Sequence, residues 1–251
     1  MNKNSFVKEY EVRYYEVDYK QRLLPTALLN YFGDMAMAHS EKCGVGLEYL
    51  KEKNLAWVLY KYDIEIFKYG ILNEKIKITT EAYGFKKFYA YRNFYAENSR
   101  GEKIAEGKAV FLLINYERRR PVRIPEDFYA AYGAEGDIKE EIKLYKLQRL
   151  TDAAEERTFT VRYTDIDTNT HVNNVKYLDW LIEAVPLNIV KNSFLKNIKI
   201  DYLKECFYGD TIKSKAEIFN EENSTKIIHK IVNQEDKEIT LAETYWVKKN
   251  E

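Results

Sequence analysis

The chain has 251 residues, enough for one large domain or two ordinary ones, either of which buries a substantial core. Hydrophobic residues make up 45% and charged residues 32%, which excludes a disordered chain. Lys plus Arg equals Asp plus Glu at 40 each, so a general nucleic-acid binder is excluded, though not a local basic patch. The 22 tyrosines and 12 phenylalanines, with only 4 prolines and 10 glycines, favour sheets.

The segment Met1 to Tyr10 is polar and has no apolar stretch of the secretory kind. No apolar run is long enough to span a bilayer, so no membrane partner is expected. Phe6 to Val17 alternates like a strand. Thr26 to about Cys43 is helical, with Leu28, Leu29, Phe32, Met35 and Ala36 at helical spacing. Four strand-like segments follow: Ala56 to Phe67, Glu74 to Tyr83, Phe88 to Glu97 and Lys103 to Tyr116. Met35, Met37 and Trp57 suit the lining of an apolar tunnel or plain core packing equally well. A mixed, charged stretch from Tyr129 to Glu156 carries Gly133 and Gly136 and is expected to be a linker. Beyond it, Arg157 to Asp165 is strand-like, with Phe159, Val161 and Tyr163 on one face. Val175 to Val190 is helical, with a kink expected at Pro186. The chain closes with strands at Phe194 to Lys204, Thr211 to Phe219, Thr225 to Asn233 and Ile239 to Val247.

This order is the same scheme twice. Val12-Arg13-Tyr14-Tyr15-Glu16-Val17-Asp18 matches Val161-Arg162-Tyr163-Thr164-Asp165-Ile166-Asp167, 149 positions later. The period is too long for a solenoid and implies duplication of a whole domain. One strand, one long helix and four antiparallel strands is the order of a hot-dog domain. The expected fold class is therefore α+β: two tandem hot-dog domains, each an antiparallel sheet wrapped around a long helix. The expected boundaries are residues 1–128 for an N-terminal hot-dog domain, 129–156 for the linker and 157–251 for a C-terminal hot-dog domain. Two copies can pair through their sheets as a pseudo-dimer, which leaves a homodimer open.

The copies diverge where the first strand meets the helix. The first has Tyr19-Lys20-Gln21-Arg22-Leu23-Leu24; the second has Thr168-Asn169-Thr170-His171-Val172-Asn173-Asn174. Asp167, Asn169 and Asn173 suit turns and helix caps. Yet one copy holds a dense polar cluster that its twin lacks, and a purely structural loop has less reason to differ in this way. Cys43 and Cys206 form no disulfide framework, and with them the three histidines show no metal-ligand spacing, so neither a metal nor a cofactor is expected. His39 and His229 are expected to be structural, and the compartment is expected to be the cytoplasm.

The string Asp167-Thr168-Asn169-Thr170-His171-Val172-Asn173-Asn174 resembles the plant and bacterial acyl-acyl-carrier-protein thioesterases. So do Tyr177, Trp180 and Glu183 after it, Tyr202-Leu203-Lys204-Glu205-Cys206, and Arg119-Arg120-Pro121-Val122-Arg123-Ile124-Pro125. The resemblance runs from about Tyr10 to Trp246 and, with no transit peptide visible, is to the bacterial type. It implies hydrolysis of fatty acyl-acyl carrier protein to free fatty acid in fatty acid biosynthesis, with a phosphopantetheine-linked acyl chain as substrate, an acyl-chain pocket in the N-terminal domain and a catalytic C-terminal domain.

A thioester carbonyl needs a nucleophilic water and donors for the oxyanion. Asn169 offers an amide to the oxyanion, and the helix-start N–H groups offer more. His171, just before a helix N-terminus, is placed to move a proton. Asp167 orients Asn169 or the loop, and Glu205 activates or orients the water. Cys206 competes with Glu205, since a Cys-His-Asn triad is also chemically sound. If the strand continues to 206, Cys206 shares its face with Ile198, Ile200 and Tyr202 and points into the core, which favours Glu205. An acyl-coenzyme A thioesterase and a non-catalytic acyl-binding protein are the alternatives. A hydratase fits less well, since its Asp and His are expected five residues apart and Asp167 and His171 are four apart. The run Arg118, Arg119, Arg120 and Arg123 suits either a solvated turn or docking of an acidic carrier protein.

Overall fold

The computed structural model describes residues 3–139 and 145–248. The chain divides into two compact units, Met1–Tyr60 with Ile66–Leu144, and Lys61–Glu65 with Tyr145–Glu251. Among the described residues no helix is long and apolar enough to cross a membrane.

The first unit runs β1 (Ser5–Glu11), a 3-10 turn (Tyr14–Glu16), α1 (Pro25–Lys42), α2 (Leu47–Glu52), β2 (Leu55–Ile66), β3 (Lys75–Lys86), β4 (Tyr89–Glu97), β5 (Lys103–Asn115), β6 (Arg120–Pro121) and α3 (Glu126–Tyr132). Its strands lie in the order β1-β3-β4-β5-β2, with β6 paired to β5. The apolar stripe of α1 buries Leu28, Leu29, Phe32 and Met35, and the Phe32 ring stacks on Phe94 of β4 at 4.7 Å. A second apolar cluster gathers Val45, Leu50, Phe85 and Leu113 around Phe128 and Tyr132 of α3.

The second unit repeats the plan. β7 (Glu155–Thr160) leads through a 3-10 turn (Tyr163–Asp165) to α4 (Asn174–Glu183) and α5 (Leu187–Asn192). Then come β8 (Ser193–Tyr202), β9 (Thr211–Asn220), β10 (Ser224–Asn233) and β11 (Glu238–Lys248). The order β8-β11-β10-β9-β7 is that of the first unit read from its other edge. Every pairing in it is antiparallel. The stretch Lys61–Glu65 belongs to this unit and pairs antiparallel with β8. α4 lies against β7, β9 and β10, burying Val175, Tyr177, Leu178, Trp180 and Leu181.

The expected strands differ from the observed ones where each first strand was expected to run on. Alternation predicts a strand to Val17 and to Asp165, but pairing stops at Glu11 and Thr160. An acid three residues on folds back on the backbone: Glu16 Oε2 accepts from Arg13 N–H at 2.8 Å, and Asp165 Oδ2 from Arg162 N–H at 2.8 Å. Tyr14, Tyr15 and Tyr163 are left exposed rather than facing the core. The helix expected over Val175 to Val190 is broken rather than kinked, with Pro186 standing as the N-terminal cap of α5. α2 lacked a legible sequence signal. The stretch read as a linker starts inside α3, which buries Tyr132 in the first unit, and ends inside β7; residues 140–144 of it lie outside the described residues. Met35 is buried in the core and Trp57 packs edge-on against Phe128, whereas Met37 is exposed and lines nothing.

His39 and His229 are structural. Arg92 donates to His39 Nδ1 at 3.0 Å, so His39 Nε2 carries the proton and donates to the Lys3 carbonyl at 2.9 Å. Burial and then the Arg92 charge lower the His39 pKa to about 4, and burial lowers that of His229 to about 3. Both are therefore folded in the neutral form, while the unfolded chain protonates them below about pH 6.5. Their neutral burial carries no penalty above that pH. Stability should then fall as the pH drops towards 4, by about 1.4 kcal/mol per pH unit for each histidine. Urea unfolding should give a constant midpoint from about pH 8 to pH 7 and a falling one from about pH 6.5 to pH 5. A midpoint unchanged down to pH 5 would contradict neutral burial of the pair.

Candidate active site

The loop between each 3-10 turn and its helix is built the same way twice. In the first unit Val17 bridges Leu23; in the second Ile166 bridges Val172. The aspartate opening each loop accepts a backbone N–H two residues on: Lys20 N to Asp18 Oδ1 at 2.8 Å, and Asn169 N to Asp167 Oδ1 at 2.7 Å. Its carbonyl takes the N–H three residues on, from Gln21 at 2.8 Å and from Thr170 at 3.1 Å. Those residues turn the chain with left-handed backbones, φ 59° at Gln21 and 66° at Thr170. Asp167 thus orients the loop, as the sequence implied, by holding the Asn169 backbone.

A second segment meets each loop. After β8, the N–H groups of Leu203 and Lys204 both point to the Ile239 carbonyl, at 2.9 and 3.1 Å, and the chain turns off the sheet. Cys206 then accepts from Val172 N–H at 3.0 Å. The first unit has the matching set: Phe67 and Lys68 donate to Ile104 at 2.8 and 3.2 Å, and Leu23 N–H donates to Gly70 at 2.8 Å. This makes Arg22 the counterpart of His171, Lys20 of Asn169, Tyr69 of Glu205 and Gly70 of Cys206.

With the backbone held constant, the side chains do different things. In the first unit Arg22 clamps Asp18, with Nε at 2.8 Å and a terminal nitrogen at 2.5 Å from Oδ2, and lies over the Tyr69 ring at 4.9 Å. Burial alone would raise the Asp18 carboxyl; the Arg22 bonds hold it below its usual range. In the second unit His171 Nε2 stands 3.3 Å from Glu205 Oε2, with the side chains 14% and 30% exposed. That is enough cover to slow water exchange and enough opening for a reactant. The Phe207 ring packs edge-on against His171 at 5.2 Å. Its role was not legible in the sequence, where it is merely the residue after the Glu-Cys pair. The structure thus brings Asp167, Asn169, His171 and Glu205 to one end of one unit.

Cys206 is fully buried, and burial pushes its thiol up to about 11. The parity argument that placed it inward assumed a strand through 206, whereas β8 ends at Tyr202. It is the turn after Lys204 that buries Cys206 and leaves Glu205 beside His171. Asn173 caps α4, its Oδ1 accepting from Val175 N–H at 2.9 Å. The N–H groups expected to serve as extra donors are largely spent internally: Val172 on Cys206, Asn173 on Asp165, Val175 and Lys176 on Asn173. No group of metal-ligating residues is found among the described residues.

The chain is 26% identical over 260 residues to a chloroplastic acyl-[acyl-carrier-protein] hydrolase of Cuphea viscosissima, covering 98% of this chain and 63% of the relative. It is 25% identical to a chloroplastic palmitoyl-acyl carrier protein thioesterase of Gossypium hirsutum, covering 88% and 57%. It thus spans about three-fifths of the length of these curated relatives. Among solved structures, a Lactobacillus plantarum protein assigned as an oleoyl thioesterase superposes with a TM-score of 0.93 at 25% identity, over 98% of this chain and 97% of that one. An acyl-ACP thioesterase of Bacteroides thetaiotaomicron gives 0.85 at 22% identity, over 98% and 100%. These likenesses bear out the double hot-dog fold. Residues 3–132 match the acyl-ACP thioesterase N-terminal domain and residues 148–248 the C-terminal domain, so the chain belongs to the acyl-ACP thioesterase family.

Proposed function

We propose that the chain hydrolyses the thioester between a fatty acyl group and acyl carrier protein, releasing free fatty acid. The observation that carries this reading is the contrast between the two loops: one backbone, twice built, holds an Arg22–Asp18 clamp in one unit and His171 against Glu205 in the other. Glu205 takes a proton from a water as the water oxygen bonds to the thioester carbonyl carbon. The Asn169 amide donates to the oxyanion that forms. When the carbon–sulfur bond breaks, the proton leaves Glu205 through the His171 imidazole for the departing sulfur. The products are a fatty acid and the free thiol of the phosphopantetheine arm.

The carrier would dock on the first unit. Arg118, Arg119, Arg120 and Arg123 are exposed along and beside β6. The bond from Ile124 N–H to the Lys87 carbonyl at 2.8 Å ties this run to the Lys86–Lys87 turn. Two basic segments thus share one end of a sheet, a fit for an acidic protein. The same unit is the one expected to house the acyl chain.

Asn169→Ala and His171→Ala should each lower turnover about tenfold to a hundredfold in folded protein, and Glu205→Gln by about a hundredfold. Cys206→Ala should keep turnover within about tenfold of the parent, because its thiol is too basic and too buried to attack. A folded but inert Cys206→Ala beside an active Glu205→Gln would instead establish a covalent acyl-cysteine route.

Charge reversal across Arg118, Arg119, Arg120 and Arg123 should raise KM for acyl carrier protein substrates by about tenfold or more and leave short soluble thioesters unaffected. Added salt should mimic the change on the parent by screening. Equal losses on both substrate types, or equal turnover of the coenzyme A thioester, would remove the carrier from the reading.

A further inference from the structure

Glu205 lies in a stretch with no ladder partners of its own, so something other than the sheet must fix its direction. Its neighbour Cys206 is held at two backbone points. The Cys206 carbonyl accepts from Val172 N–H at 3.0 Å, which joins it to the residue after His171. The Cys206 N–H donates to the Tyr177 hydroxyl at 3.1 Å. The thiol lies beside that same hydroxyl. Tyr177 is itself closely packed: it is buried on α4, edge-on to Trp180 at 5.4 Å and to Tyr202 at 5.7 Å.

The N–H that Tyr177 receives belongs to the peptide between Glu205 and Cys206. Fixing that peptide plane fixes the direction in which the Glu205 side chain leaves the backbone. We propose that Tyr177 and Cys206 form a latch that positions the Glu205 carboxylate against His171, with Tyr177 as the positioning residue and Cys206 as the part it grips. The latch rests on the reading of Glu205 as the catalytic base and gives the buried cysteine a task other than attack.

The first unit supplies an internal comparison. Leu28 stands at the position of Tyr177 in the repeat, and Gly70 at that of Cys206. A Cβ on Gly70 would lie 2.6 Å from Ile76 Cδ1, so a cysteine there would require the Ile76 side chain to shift. Leu28, Tyr69 and Gly70 instead border a small apolar cleft. The hydroxyl, the thiol and the carboxylate are all missing from the copy that lacks the histidine. A hydroxyl and thiol needed only to pack a helix on its sheet would have no reason to depart together with the carboxylate.

The test is Tyr177→Phe, which keeps the ring and removes only the grip. Turnover number should fall about tenfold with KM unchanged, the loss expected of one positioning hydrogen bond. Measured in single turnover in the Glu205→Gln background, Tyr177→Phe should cost nothing further, because nothing is left to aim. NMR should show the His171 ring resonances of Tyr177→Phe moving toward those of Glu205→Gln, with His39 and His229 as fixed references. Cys206→Ala should reproduce a milder form of the same pattern. Parent-like turnover in Tyr177→Phe, or a loss undiminished in the Glu205→Gln background, would overturn the latch while leaving the function reading intact. Full activity of Glu205→Gln would overturn both.

Discussion

The second unit depends on one backbone hydrogen bond, from Val172 N–H to the Cys206 carbonyl at 3.0 Å. His171 and Glu205 come from segments more than thirty positions apart and share no helix or strand. Neither segment lies in a ladder at that point, so the distance between the two side chains is set by how the segments are joined. The bond joins the residue after His171 to the residue after Glu205. A buried amide bond of this kind is expensive to break, since both groups would be left without partners. Each side chain then needs only its own short tether: the Asp167-anchored turn for His171, and the grip on Cys206 for Glu205.

The same bond in the first unit, Leu23 to Gly70 at 2.8 Å, shows that the strut predates the chemistry or outlives it. There the loop is closed by charge, with Arg22 spanning to Asp18 and covering Tyr69. A guanidinium paired in this way offers neither a base nor an exchangeable proton near neutral pH. Function and fold are thus separable at this position: the backbone of the loop is required by the sheet-to-helix crossing, and its side chains are free to carry chemistry or to lock it out.

Much of this was legible in the sequence, for identifiable reasons. The repeat keeps valine at Val12 and Val161 because both side chains are fully buried, while their N–H groups pair at the same place, with Glu74 and Asp210 at 2.9 and 2.8 Å. Strands with alternating burial, such as Lys75–Lys86, announced themselves by period. The string from Asp167 to Asn174 stood out because its twin has neither its asparagines nor its histidine. What escaped detection was local competition. Alternation continues through Arg13 and Arg162, but a carboxylate three residues on outbids the ladder for the N–H and ends the strand. Contacts that depend on a turn, such as Phe207 on His171 or Tyr177 on Cys206, have no sequence period and could only be seen in three dimensions.

The choice between Glu205 and Cys206 illustrates the difference between proximity and competence. The two residues are adjacent, and both lie close to the histidine loop. A thiol attacks as a thiolate, and one pushed up to about 11 is almost wholly protonated near neutral pH. Deprotonating it would place a charge in an apolar pocket beside the Tyr177 hydroxyl, with the Asp210 charge adding to the cost. An imidazole would have to reach Sγ to compensate, yet His171 Nε2 is directed to Glu205 Oε2. The carboxylate needs no such rescue: it is partly open to water and faces the imidazole that can relay its proton. Burial that makes the cysteine a poor nucleophile is the same burial that makes it a firm point of attachment, and this accounts for a fully buried cysteine beside the proposed catalytic residues without assigning it any chemistry.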